Sequence, residues 1–229
     1  MSKKDFDTFN LNICFSSASV KKSKTDVEAK ISAWAKEAER LFDDKPALKI
    51  KTEIIHNVKG VAADIKFASD KDLKKYMDDE FDNIVGKDKT EGALQVLVVD
   101  SISVGSGGIG GESFFPHCVA PFGSKRGIIL DVDKLSSSLA HELGHTFSLK
   151  HTWDSYVGFK DNCNKDFPKG EAGKGGTRNG LKINLMDYER TENDTNVLNE
   201  CQRDRSAHQR RIYMTNDGET NYRKLKGLS

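Results

Sequence analysis

The chain has 229 residues with 36 Lys+Arg against 35 Asp+Glu, a formal charge of +1, so no net field draws it to nucleic acid or to an anionic membrane. Hydrophobic residues make up 36% and charged residues 31%, which is polar for a globular protein but richer in apolar side chains than a disordered chain. No window approaches the roughly 18–20 apolar residues of a membrane-spanning helix, and the longest apolar run, Val96-Leu97-Val98-Val99, suits a buried strand. No nucleic acid partner and no membrane span are therefore expected.

Basic residues near Met1 have no apolar stretch behind them, so no cleaved secretory signal is expected there. Cys14, Cys118, Cys163 and Cys201 are far apart and form no C-x-x-C, which argues against a zinc knuckle or a thioredoxin-type site. Inert core thiols and two disulfides both remain open on spacing alone.

Residues 8–16 alternate, with Phe9, Leu11, Ile13 and Phe15 on one face, and predict a half-buried first strand. From 26 to 43 the period changes. Val27, Ile31, Trp34, Ala35, Ala38, Leu41 and Phe42 recur at helical spacing, and Thr25 with Glu28 forms a capping box. Residues 48–58 predict a strand, 72–85 an amphipathic helix and 93–100 a central buried strand, an order that implies a layered α/β fold with a partly parallel sheet.

Gly105, Gly107 and Gly110 match G-x-G-x-x-G, but a dinucleotide loop must open a helix. Here the chain runs on through Phe114, Phe115, Pro116 and Pro121, which predict an edge strand or extended segment, so a flexible glycine loop is expected. Residues 126–133 predict another strand and 136–150 a helix with serines available as caps. Residues 152–199, rich in Gly, Asn, Asp and Lys, predict an irregular region, and 202–214 a terminal helix.

The chemistry lies on the 136–150 helix. His141-Glu142-Leu143-Gly144-His145 is H-E-x-x-H, which places two imidazoles on one helix face toward a single zinc ion, with Glu142 beside it as base for the attacking water. His151 lies six residues on, beyond the reach of a straight helix. The chain must turn near residues 148–150 to bring it back as a third ligand. His56, His117 and His208 have no ligand partners at recognisable spacing and are expected to be surface or structural.

These residues resemble the metzincin zinc endopeptidases, whose long motif is H-E-x-x-H-x-x-G-x-x-H; His141, Glu142, His145 and His151 match it, and Ser148 replaces its glycine. Serine pays on the order of 1 kcal/mol for the left-handed backbone that glycine adopts freely. Asn184-Leu185-Met186-Asp187-Tyr188 is similar to the family's methionine turn. The resemblance places Met186 beneath the metal and Tyr188 within reach of it. Within the family the chain is most similar to the pappalysin-like group, through Thr152, the N-L-M-D-Y turn, Cys201 with Gln209, Arg211 and Met214, and the stretch from Gly110 to Pro116.

The resemblance implies a single α/β catalytic domain: an upper lobe at about 1–151 with a mixed sheet and the active-site helix, and a smaller irregular lower lobe at about 152–229. It implies a protein or peptide substrate bound extended along the edge strand between Ser113 and Val119 by main-chain hydrogen bonds, with Glu142 as general base and Tyr188 as oxyanion donor. A Cys163–Cys201 disulfide is also implied, closing a loop of about forty residues and contributing on the order of 3–4 kcal/mol, with Cys14 and Cys118 as buried thiols. Asp154, Asp161 and Asp166 could help hold calcium, though solvated loop charges explain them as well. Expectations further include a monomer, and export by a route without a cleaved signal, with the cytoplasm as alternative. The rival readings are an inactive metzincin-like zinc-binding module and a metallohydrolase of a non-peptide amide.

Overall fold

The computed structural model describes residues 6–16, 24–43, 47–58, 60–79, 81, 94–109, 111–113, 127–133, 136–147, 149, 151, 182–186 and 195–214. Strand β1 (Phe6–Ser16) follows the alternation in its sequence. Phe9, Leu11, Ile13 and Phe15 pack on one side, and Cys14 packs on the other. It pairs in parallel with β2 (Ala47–Val58) through Ile13 and Ile54, and with β4 (Leu94–Val99) through Ile13 and Val96. Strand β8 (Gly127–Asp131) pairs in parallel with β4, and β7 (Gly111–Ser113) closes the edge antiparallel to β8. The sheet order is β2-β1-β4-β8-β7. This mixed α/β architecture is the one the element order predicts.

All six residues of β4 are buried because both sheet faces are covered. On one face, α1 (Lys24–Leu41) sets Val27, Ile31, Trp34 and Ala38 against the sheet, and α3 (Ser138–Thr146) adds Leu139, Ala140 and Leu143. Phe147 stands edge-on to both Phe9 and Phe42, 5.3 Å between centroids in each case. On the other face, α2 (Asp70–Asp79) contributes Leu73 and Met77 beside Phe81, Leu97, Val99 and Ile129. Ser69 caps α2: its Oγ accepts from Asp72 N at 3.4 Å and donates to Asp72 Oδ2 at 2.8 Å. The helix therefore begins before residue 72. The tail of the predicted 72–85 helix beyond Phe81 lies outside the described residues.

A second sheet, β3-β5-β6, joins β3 (Asp64–Phe67) in parallel to β5 (Ser101–Val104) and folds β6 (Gly107–Gly108) back on β5. The expected flexible glycine loop is thus a hairpin in part. Gly105 takes φ +59 at its turn, a backbone that glycine adopts without steric cost. After Gly110 the described chain is extended as β7 (Gly111–Ser113) rather than helical, which goes against the helix N-terminus that a dinucleotide loop needs.

The region expected to be irregular holds a parallel pair, β9 (Lys182–Asn184) and β10 (Thr195–Val197). Leu185, Met186 and Leu198 join the main core. Helix α4 (Glu200–Met214) follows, starting two residues before the prediction. Among the described residues no helix is long and apolar enough to cross a membrane.

Candidate metal centre

Helix α3 presses Leu139, Ala140 and Leu143 into the core, which leaves His141 and His145, one turn apart, on a shared side. Ser137 stands at the N-cap but its side chain makes no capping bond, contrary to the expectation from the serine run; the helix opens with His141 N donating to Ser137 O at 2.9 Å. It also ends earlier than residue 150. Burial of Phe147 between Phe9 and Phe42 draws the chain inward, and Leu149 N donates to Gly144 O at 2.8 Å, the 6→1 bond of a Schellman ending. Ser148, at the glycine position of the resemblance, lies outside the described residues.

That turn brings His151 back. Its Nε2 is 3.1 Å from His141 Nε2 and 3.0 Å from His145 Nε2. His141 Nδ1 donates to Leu185 O and His145 Nδ1 to Leu149 O, both at 2.8 Å. A carbonyl only accepts, so each Nδ1 carries a proton, and in its neutral form each ring points an Nε2 lone pair at the centre. One Nε2–H on His151 satisfies one of its two contacts and leaves two lone pairs facing in the other. A cation between them satisfies all three. The spacing lies near the roughly 3.3 Å that separates ligands of a tetrahedral zinc with Zn–N bonds of about 2.0–2.1 Å.

The three donor atoms lie within 4.8 Å of one another, and no further His, Cys, Asp or Glu joins them among the described residues. Three histidine ligands with a fourth position left to water or substrate are the pattern of catalytic zinc sites, whereas closed structural sites carry four protein ligands. The ring planes of His141 and His145 cross at 90° and those of His145 and His151 at 87°, which spreads the donors about one point. His141 is 6% exposed, whereas His145 and His151 are half-buried, so the centre opens on their side.

Glu142 is buried beside β7: a Cβ placed on Gly111 would stand 3.1 Å from Glu142 Cγ. The edge strand and Glu142 are thus adjacent. Met186 is fully buried against α3 at Gly144. On the far side of β7, burial pushes the Glu112 carboxyl up to about 7, with Lys74 pulling it down and Asp70 pushing it up. Tyr188, Thr152, Asp154, Asp161, Asp166, Cys118, Cys163 and His117 lie outside the described residues, as does the edge segment after Ser113; so do the side chains of His56, His208, Gln209, Arg211 and Met214. Cys14 is a buried thiol, as expected, and Cys201 is disulfide-bonded.

The sequence reading missed Gln202, whose amide meets that of Asn184 two residues before Met186. The available signal was Asn199-x-x-Gln202, a capping-box pattern. It also passed over Gly111 and Gly144, whose roles are spatial.

No protein-family model matches the sequence, and no curated protein matches it. The chain is similar in structure to metalloproteinase-II from Bacteroides fragilis, at 19% identity and TM-score 0.48 over 88% of this chain and 52% of that one. It is also similar to archaemetzincin from Methanopyrus kandleri, at 12% identity and TM-score 0.47 over 88% of this chain and 97% of that one. The chain spans about half the length of the Bacteroides protein.

Proposed function

We propose that the protein is a zinc-dependent endopeptidase of the metzincin type. The observation that carries this reading is the convergence of three histidine Nε2 atoms, two of them oriented by Nδ1 bonds to backbone carbonyls, on the helix that bears Glu142. A zinc ion in this donor set supplies Lewis acidity toward a substrate carbonyl and toward water. Glu142, the residue after a ligand and not itself a ligand, takes a proton at its carboxylate from the attacking water and passes it to the leaving amine. Tyr188, two residues beyond Met186, donates to the developing oxyanion.

A substrate chain lying along β7 gains main-chain hydrogen bonds as an added strand. The pappalysin-like affinity rests on Thr152, the N-L-M-D-Y turn and Cys201 in the sequence, and a Cys163–Cys201 bridge with an oxidising workplace outside the cytoplasm goes with it. Metal analysis combined with a peptide-library digest tests the function. The wild type is expected to bind one zinc per chain and to cleave, while Glu142→Ala keeps the zinc and loses at least about a thousandfold in turnover. A zinc-loaded wild type that cleaves no peptide would return the protein to a binding module or a hydrolase of other amides.

A further inference from the structure

Two buried amides link the terminal helix to the zinc site. Asn184 is 2% and Gln202 1% exposed. Asn184 Nδ2 donates to Gln202 Oε1 at 2.7 Å and Gln202 Nε2 donates to Asn184 Oδ1 at 3.1 Å. The orientation of both amides follows from their other partners: Asn184 Oδ1 accepts from Met186 N at 2.9 Å, and Gln202 Oε1 accepts from Asn199 N at 3.1 Å. Asn199 Oδ1 in turn accepts from Gln202 N at 2.8 Å, completing a capping box at the start of α4.

Between the two residues clamped in this way lies Leu185. Its N–H donates to Val197 O at 2.8 Å, and its carbonyl accepts from His141 Nδ1 at 2.8 Å. The amide pair fixes the peptide on both sides of that carbonyl, so the direction of the Leu185 C=O, and with it the tautomer and plane of His141, depends on a side chain in α4. A capping glutamine alone needs no buried partner. This one makes a closed exchange with Asn184, in which losing either side chain strands the other's polar atoms in the core.

We infer that Gln202 is a positioning residue for the metal site, acting through Asn184 and the Leu185 carbonyl on His141; the inference rests on the zinc reading of the three histidines. Zinc affinity, measured on the full chain by competition with a chromophoric chelator, and the ligand-field spectrum of the Co(II)-substituted protein test it without recourse to activity. Gln202→Met, which keeps length and packing but cannot hold Asn184, is expected to weaken zinc binding 10- to 100-fold and to change the Co(II) bands. Gln202→Glu, which keeps the shape but as a carboxylate replaces the donor to Asn184 Oδ1 with an acceptor and adds a buried charge, is expected to shift both in the same direction at neutral pH and serves if the methionine variant does not fold.

Asn199→Ala removes the cap on Gln202 N without touching the amide exchange, and is expected to lower thermal stability while zinc affinity stays within about twofold. Unchanged zinc affinity and Co(II) spectrum in the Gln202 variants would overturn the inference, as would an equal loss of zinc in Asn199→Ala, which would mark a general loosening of α4. A wild type that binds no zinc, or a His141→Ala variant that binds it undiminished, would instead overturn the zinc reading itself.

Discussion

Met186 occupies the space that a side chain on Gly144 would take: a Cβ built there would lie 2.5 Å from Met186 Sδ and 3.3 Å from its Cε. The residue before His145 is therefore glycine because the Met186 side chain packs directly on the helix backbone. Gly144→Ala is expected to cost about 1–3 kcal/mol by overpacking. The double variant Gly144→Ala, Met186→Ala should be less destabilised than the sum of the single changes by at least about 0.5 kcal/mol, since the new methyl enters the space left by the thioether. Urea unfolding of the four proteins measures this, and strict additivity would show that the two residues do not share that space.

Gly111 sets the distance between β7 and Glu142. A Cβ there would stand 2.9 Å from Ile129 O and 2.8 Å from Leu130 Cδ2 as well as 3.1 Å from Glu142 Cγ. A backbone oxygen yields at greater cost than a side-chain end, so Gly111→Ala must lift β7 from β8 or displace Glu142. Steady-state assays on a cleaved peptide are expected to show kcat reduced at least about tenfold at unchanged zinc content. An unaltered kcat would mean that the strand adapts without disturbing the base.

Glu112 makes stability depend on pH. Its carboxyl is raised from 4.5 to about 7 by burial, so the folded chain holds that proton more tightly than the unfolded one. Its contribution is greatest below about pH 4.5, falls as pH rises from there to about 7, and is then level. Glu112→Gln removes the penalty and is expected to be more stable than the wild type by on the order of 2–3 kcal/mol at pH 8, with little difference near pH 4. Thermal unfolding at the two pH values reads this directly. An equal gain at both would assign the effect to packing.

The layered α/β fold and the pairing of His141 with His145 on one helix face were legible because each has a period. The alternation of β1, the helical spacing of α1 and the i, i+4 histidines of α3 are local patterns that burial enforces. What was not legible depends on contacts between distant segments. Strand β3 has four residues, half-buried only at Ile65 and Phe67, and is specified by its pairing with β5. Gly107 and Gly108 have no strand propensity and pair because the turn at Gly105 aims them at Val104 and Ser103. Helix α3 stops at Thr146 because Phe147 has a place between two other phenylalanines, which no helical period encodes. Gln202 reads locally as a cap, and its bond to Asn184 spans eighteen residues of sequence.

The return of His151 toward α3 is what turns a common five-residue motif into the three-histidine cluster on which the zinc proposal rests. X-ray absorption at the zinc edge of the loaded protein tests it most directly. The expected first shell has three imidazole nitrogens at about 2.0–2.1 Å and a light atom in the fourth position, and loses one imidazole in His151→Ala. A first shell with sulfur at about 2.3 Å, or one that is the same in His151→Ala as in the wild type, would contradict the account.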